Sequence, residues 1–205
     1  MAIINKGFTG KGGSHPDRLP PGQSQVTDWP VLTYGPTPVI PTDNWTLIID
    51  GAVNTPITLS WDEFNQLSKT QLTTDIHCVT RWSRFGMPWE GVSLDDLIAA
   101  AGGLTDQAKF LIATTFEGYT TNLPVRDVLN NQALVATRAD DAPLTAEHGG
   151  PARLFVPHLY FWKSAKWIHR LTFTPSDHPG FWEVNGYHNY GDPWKEERYS
   201  DSINW

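Results

Sequence analysis

A chain of 205 residues, 40% of them hydrophobic and 18% charged, is long enough for one domain with its own core and too apolar to stay disordered. Its net charge of −7 argues against a general nucleic-acid binder, and its single cysteine, Cys78, excludes an internal disulfide. No apolar run approaches the ~20 residues needed to span a bilayer, and no secretory h-region opens the chain, so the expected location is cytoplasmic.

Residues 1–44 are rich in glycine and proline, and "GKGGSHPDRLPPG" reads as an extended or flexible arm. The regularly spaced prolines of residues 30–41, "PVLTYGPTPVIP", favour an extended segment lying on a domain surface. "WTLIID" alternates and ends at Gly51, which predicts a strand followed by a turn. Ser60 and Glu63 have capping-box spacing, so a short helix is expected from Trp61. "LTTDIHC" is a β-branched strand that puts Cys78 at its C-terminal end. Ser93 caps "LDDLIAAA", and Gly102-Gly103 stop that helix. "KFLIATTF" predicts a strong strand, and "PVRDVLNN" a short helix opened by its proline. "ALVATRA", "ARLFVP" and "KWIHRLTFT" are further strands, and beyond Pro175 the chain turns irregular and aromatic. Strands interleave with short helices without a sustained βαβ rhythm. The expected fold is therefore a mixed, β-rich α+β domain rather than a doubly wound sheet.

Three stretches carry candidate chemistry. Cys78 is flanked by His77, Arg81, Trp82, Arg84 and Trp89, where a plain structural thiol would have apolar neighbours. Cations or a soft metal stabilise a thiolate, so Cys78 is a ligand, a nucleophile or an inert buried thiol. Residues 147–170, "EHGGPARLFVPHLYFWKSAKWIHR", are the most cationic part of an acidic chain. Arg153 offers a planar fork and Lys163 and Lys166 point charges, as a phosphate requires, and Gly149-Gly150 permit close backbone approach. The alternative is a solvated basic face, against which the interleaved Tyr160, Phe161, Trp162 and Trp167 count. The third stretch, the aromatic and acidic tail, reads as a segment wrapped over the core. Zinc motifs of the HExxH or CxxC type, a GxSxG elbow and glycine-rich phosphate loops are absent from the sequence.

Together these segments resemble the molybdopterin-binding domain of the sulfite oxidase family. "DIHCVTRWS…WEGVSLDDLI" is similar to the stretch whose cysteine binds molybdenum. "HGGPARLFVPHLYFWKSAKWI" is similar to a Gly-x-Pro-x-Arg-Leu-x-x-Pro…Lys-x-x-Lys-Trp pattern. "PGFWEVNGYHNYGDPWKEERY" resembles the tail of small, haem-free bacterial members. The resemblance implies a sulfite-oxidase-type fold, with an arm over residues 1–27 and one domain over residues 28–205. It implies molybdopterin carrying one molybdenum ion, with Cys78 as the metal ligand. Thr33, Tyr34, Thr115, His148 and Arg153 match positions that contact the pterin or its phosphate. Ser164, Ala165 and Lys166, with Lys163 beside them, match the loop on the phosphate side. Tyr119 resembles the tyrosine over the metal, and Tyr119 and Arg81 are candidates to orient substrate. Leu32 stands where sulfite-oxidising members carry an arginine.

The expected activity is oxygen-atom transfer to or from a small sulfoxide, N-oxide or sulfite-like substrate. Electrons would pass to or from a separate protein or small carrier, since no haem or flavin motif occurs. Two rival readings make different demands on Cys78. A non-catalytic, aromatic-rich binding module would be indifferent to its loss. A metal-free cysteine enzyme would need its thiol pKa depressed.

Overall fold

The computed structural model describes residues 17–200; residues 1–16 of the expected arm and residues 201–205, with Asp201 of the tail, lie outside the described residues. The arm's described part forms β1 (Ser24–Val26). The alternating "WTLIID" run becomes β2 (Thr46–Gly51), which folds back on β3 (Ile57–Ser60). Ser60 and Glu63 make the reciprocal capping box that opens α1 (Trp61–Gln66). β4 (Thr70–His77) and β5 (Trp82–Ser93) form a hairpin around Cys78. Ser93 caps α2 (Leu94–Ala100), and Gly102 and Gly103 end it with φ of 73° and 89°.

"KFLIATTF" supplies β6 (Phe110–Thr115), paired with β7 (Thr120–Pro124). The expected helix in "PVRDVLNN" does not form: one 3-10 turn, Val125–Asp127, takes its place. Asn130 and Asn131 go left-handed at φ of 59° and 58°, and their N–H groups donate to the Asp95 carboxylate, at 3.1 and 2.7 Å. Asparagine tolerates that conformation, so a cross-chain acceptor wins over helix continuation. Next come β8 (Leu134–Ala139), β9 (Ala142–Pro143), β10 (Arg153–Phe155) and β11 (Ile168–Thr174), then one helical turn, α3 (Phe181–Val184), in the tail. None of the helices among the described residues is long and apolar enough to cross a membrane.

The first sheet runs β1-β5-β8-β10, with β4 also on β5 and β9 on β8; the second runs β3-β2-β11-β6-β7. β8, β10 and the last residues of β5 are buried on both faces, and alternation sorts their side chains into two cores. Val92, Val135 and Leu154 join Leu47, Leu111 and Leu171 of the second sheet and Leu97 of α2. Leu134, Ala136 and Phe155 face the other way, onto a core shared with Cys78, Trp82, Trp89, Tyr160 and Tyr187. Trp29, just beyond the arm, and Trp182 and Tyr199 from the tail pack against this second core. The chain's two ends thus close the face that carries the cysteine.

Leu171, fully buried on β11 between β2 and β6, is a sensitive probe of the larger core. Leu171→Ala is expected to lower unfolding free energy by about 2–5 kcal/mol. Val39→Ala, at a side chain 82% exposed, should change it by less than about 0.5 kcal/mol. Urea titration of both variants checks this.

Candidate active site

The β4–β5 hairpin turns through Cys78, Val79, Thr80 and Arg81. The Cys78 N–H donates to the Trp82 carbonyl at 2.9 Å, and the Arg81 N–H donates back to the Cys78 carbonyl at 3.0 Å. Closing the turn forces Arg81 to φ of 73°, a left-handed conformation unusual for arginine. The Thr80 hydroxyl donates to Cys78 Sγ at 3.1 Å. Cys78 is 7% exposed and lines a cleft of about 240 Å³ between the arm, the hairpin and the tail. Burial pushes its thiol pKa up, against the pull of Thr80 and of the Arg198 charge. A raised pKa runs counter to a free cysteine nucleophile.

The cleft's cations come from the glycine-rich stretch. Arg153, at the head of β10, is 1% exposed. Its guanidinium donates to the carbonyls of His148 and Ser164 and lies 4.2 Å from the centre of the Phe161 ring. Its Nε is buried without a partner. Burial brings its pKa down to about 9, with Cys78 opposing. Lys166 donates to the carbonyls of Leu32 and Glu147 at 2.7 and 2.6 Å. Its pKa falls to about 7 through burial and the nearby Arg153 charge. His148 stacks on Trp29 at 3.7 Å and is held near a pKa of about 4 by burial, then by Arg153 and Lys166. Gly149, at φ of 99°, lets the chain pass Lys166: a Cβ there would sit 2.9 Å from Lys166 Cβ. Among the described residues, no aspartate or glutamate lines the cleft.

The remaining expected residues divide. Thr33, Tyr34, Thr115, Tyr119, Ser164 and Ala165 all line the cleft. The Tyr119 hydroxyl donates to the Tyr34 carbonyl at 3.1 Å, and Thr115 Oγ1 accepts the Tyr119 N–H at 3.1 Å. Ser164 Oγ accepts the Val156 N–H at 2.9 Å, which fixes the loop after β10. Two residues lie elsewhere. Arg81 is exposed, and its reversed φ turns it away from the cleft towards Gly22. Lys163 is fully buried, ion-paired with Glu183 at 2.6 Å and bonded to Asn122 and Asn189, so its ammonium ties the tail to β7. Sequence reading missed Thr80, Trp29, Trp182 and Tyr187, which also line the cleft. Thr80, two residues beyond the cysteine, had a visible signal; the aromatics had none among ten tryptophans.

The model of the oxidoreductase molybdopterin binding domain matches residues 34–182. The chain belongs to this family. The molybdopterin-binding oxidoreductase is 45% identical over 184 residues to the uncharacterized oxidoreductase YuiH of Bacillus subtilis, covering 89% of this chain and 92% of that protein. It is 29% identical over 167 residues to the protein-methionine-sulfoxide reductase catalytic subunit MsrP of Campylobacter jejuni, covering 73% of this chain and 56% of the relative. It is 26% identical over 189 residues to mitochondrial sulfite oxidase of Drosophila melanogaster, covering 78% of this chain and 32% of that enzyme. Its fold matches the sulfane dehydrogenase SoxCD of Paracoccus pantotrophus at a TM-score of 0.63 and 22% identity, over 82% of this chain and 56% of that one. The expected sulfite-oxidase-type α+β fold is thus the observed one, and the protein is an oxidoreductase.

The family's cofactor can be tested against the cleft. A pterin with a terminal phosphate needs cations without competing carboxylates, flat walls and, for its soft metal, sulfur. Arg153 with its unpartnered Nε, Lys166, the Trp29–His148 stack and Cys78 supply these on one surface. The residues fit the group.

The Lys166 pKa sets a pH dependence. Without an anion the folded protein holds Lys166 neutral above pH about 7, whereas the unfolded chain keeps it charged to ~10. This group therefore favours the fold at high pH and opposes it increasingly as pH falls through that window. An anion reverses the balance by binding the charged form. Sulfate at millimolar concentration should raise the Tm of cofactor-free protein more at about pH 6 than at about pH 8, where Arg153 keeps its charge, and Lys166→Met should remove the difference. An equal shift at both pH values would contradict it.

Proposed function

We propose that this protein binds molybdopterin with one molybdenum ion per chain and transfers an oxygen atom to or from a small substrate. The observation that carries this reading is one cleft lined by a buried cysteine and by Arg153 and Lys166, with no aspartate or glutamate among its described lining residues, in an acidic protein. Arg153 and Lys166 would hold the phosphate, with the backbone around Gly149 and the Ser164–Ala165 loop beside them. His148 on Trp29, with Thr115, Thr33 and Tyr34, would hold the pterin, and Cys78 Sγ would ligate the metal. When bound, the cofactor supplies a two-electron redox couple suited to oxygen-atom exchange.

The chain's own residues define the rest. Thr80 donates to the Cys78 sulfur and holds its direction. The strap at Leu32–Tyr34 and the tail's Trp182 and Tyr187 shield the cleft from water. Leu32, Tyr34, Tyr119, Trp182 and Tyr187 of the cleft wall include no cationic side chain to pair with an anion, which supports an uncharged sulfoxide or N-oxide over a sulfite-like anion. The Tyr119 phenol, only lightly buried and already a donor to the Tyr34 carbonyl, would give a hydrogen bond to substrate oxygen. Electrons would be exchanged with a separate protein or small carrier. The relatives named for methionine-sulfoxide reduction and sulfite oxidation support this class of reaction.

Protein made in a molybdopterin-producing host should contain about one molybdenum per chain by elemental mass spectrometry, and Cys78→Ser should lose the metal or its sulfur charge-transfer absorption. Wild-type protein without molybdenum would sink the proposal. Tyr119→Phe should lower sulfoxide turnover on the order of 10-fold or more, the loss expected when one catalytic hydrogen bond goes. Full turnover in that variant would remove Tyr119 from the mechanism.

A further inference from the structure

The cysteine turn is held from outside by both ends of the chain. Gln23, 5% exposed, donates through Nε2 to the Cys78 carbonyl at 2.9 Å. Arg198, also 5% exposed, donates through one terminal nitrogen to the Val79 carbonyl at 2.7 Å and through the other to the Pro21 carbonyl at 3.0 Å. Its Nε reaches Glu196 at 3.3 Å, and its guanidinium lies 5.0 Å from the centre of the Tyr160 ring. Gly22 sits at φ of 69°, a conformation that favours glycine, and a Cβ there would meet Glu196 Oε1 at 2.6 Å and an Arg198 nitrogen at 3.2 Å. Gln23 and Arg198 both lie outside the residues that the family model matches.

The peptide unit joining Val79 to Thr80 is planar and trans, so its carbonyl and its N–H point in opposite directions. Drawing the Val79 carbonyl towards Arg198 turns the Thr80 N–H the other way, towards the side of the turn where the Thr80 hydroxyl already meets Cys78 Sγ. Backbone N–H groups of Val79 and Thr80, with the Arg198 charge, all favour a negative sulfur. Arg198 is not among the residues that line the cleft; it reaches the cleft through the turn, by way of Val79.

We propose that Arg198, assisted by Gln23, is a positioning residue that fixes the Cys78 turn and, through the Thr80 amide and its own charge, sets the donor strength of the cysteine sulfur. The inference rests on the reading of Cys78 as the molybdenum ligand. Ligand orientation and hydrogen bonding around a metal-bound sulfur govern both retention and potential of the metal. The planar fork of arginine fixes the directions of both carbonyls, where a lysine would offer only a flexible point charge.

The test uses holoenzyme of wild type, Arg198→Ala, Arg198→Lys and Gln23→Ala. Molybdenum per chain, the sulfur-to-molybdenum absorption band and the reduction midpoint are measured alongside circular dichroism. Arg198→Ala should lower metal retention or turnover on the order of 10–100-fold while the fold is kept. In the metal that remains, the band should move to longer wavelength and the midpoint to a more negative potential, because the sulfur becomes a stronger donor. Arg198→Lys should recover part of both shifts. Wild-type metal content, band and midpoint in folded Arg198→Ala would overturn the proposal. Should Arg198→Ala not fold, Arg198→Lys and Gln23→Ala decide: a shifted band in either supports it, and wild-type spectra in both overturn it. Wild-type protein without molybdenum, or a band that survives Cys78→Ser, overturns instead the reading of Cys78 on which the inference stands.

Discussion

Taking an arginine out of water costs several kcal/mol unless an opposite charge accompanies it. Arg153 is 1% exposed, yet its partners are two carbonyl oxygens and the face of Phe161, with Nε left over. The burial lowers its pKa, and Lys166 and His148 are pushed down beside it. Three basic groups with unfavourable surroundings in one cleft make the protein alone a strained electrostatic state. An anion relieves all three at once. The fold holds these three groups side by side, and the burial of β8 and β10 on both faces provides the framework.

That double burial also explains where the cysteine stands. A strand that feeds one core with Val135 and the other with Leu134 and Ala136 is fixed in register, because a slip by one residue would exchange the two faces. β5 pairs with β8 along one half and with β1 along the other, so the hairpin turn at Cys78 is anchored to the same register. Position along the sheet is therefore set by packing, and direction by the hydrogen bonds of the turn. A left-handed Arg81 strains such a turn by ~1–3 kcal/mol. Contacts from Gln23 and Arg198 offset that strain from opposite ends of the sequence.

What could be read from the sequence follows the range of the interactions concerned. The capping box at Ser60, the cap at Ser93 and the glycine stop after α2 are local, and all appear as expected. The β-branched runs gave β2, β4, β6, β8, β10 and β11. β5 escaped because "WSRFGMPWEGVS" carries two glycines and a proline, which argue against a strand; its cross-strand partners β4, β1 and β8 override that composition. "PVRDVLNN" misled in the opposite sense, since the acceptor for its asparagines is Asp95, distant in sequence. In the cleft, ten of the twelve expected residues meet on one surface. Arg81 and Lys163 depart for reasons that spacing cannot carry: one a positive φ, the other a carboxylate on the tail at Glu183. Arg198 was invisible for the same reason, being 120 residues from the cysteine turn it holds.

The contacts that close the strap over the cleft are compatible with a bound anion. A lysine ammonium has three donors. Two of those on Lys166 go to the carbonyls of Leu32 and Glu147, so one remains, and a phosphate taking it need not displace Leu32. The Tyr119 hydroxyl holds the strap's other side through the Tyr34 carbonyl, and a hydroxyl keeps two acceptor lone pairs after donating once. The two latches therefore respond differently to ligands. Charging Lys166 strengthens its bonds to both carbonyls, so an anion that raises its pKa also tightens the strap. If Tyr119 serves substrate as proposed, a substrate oxygen would instead have to draw its hydroxyl away from Tyr34. On the proposed reading, cofactor and substrate would therefore pull the same extended segment in opposite senses, the first closing it and the second loosening its edge. A segment of regularly spaced prolines, with few backbone donors to anchor it elsewhere, is suited to that small adjustment.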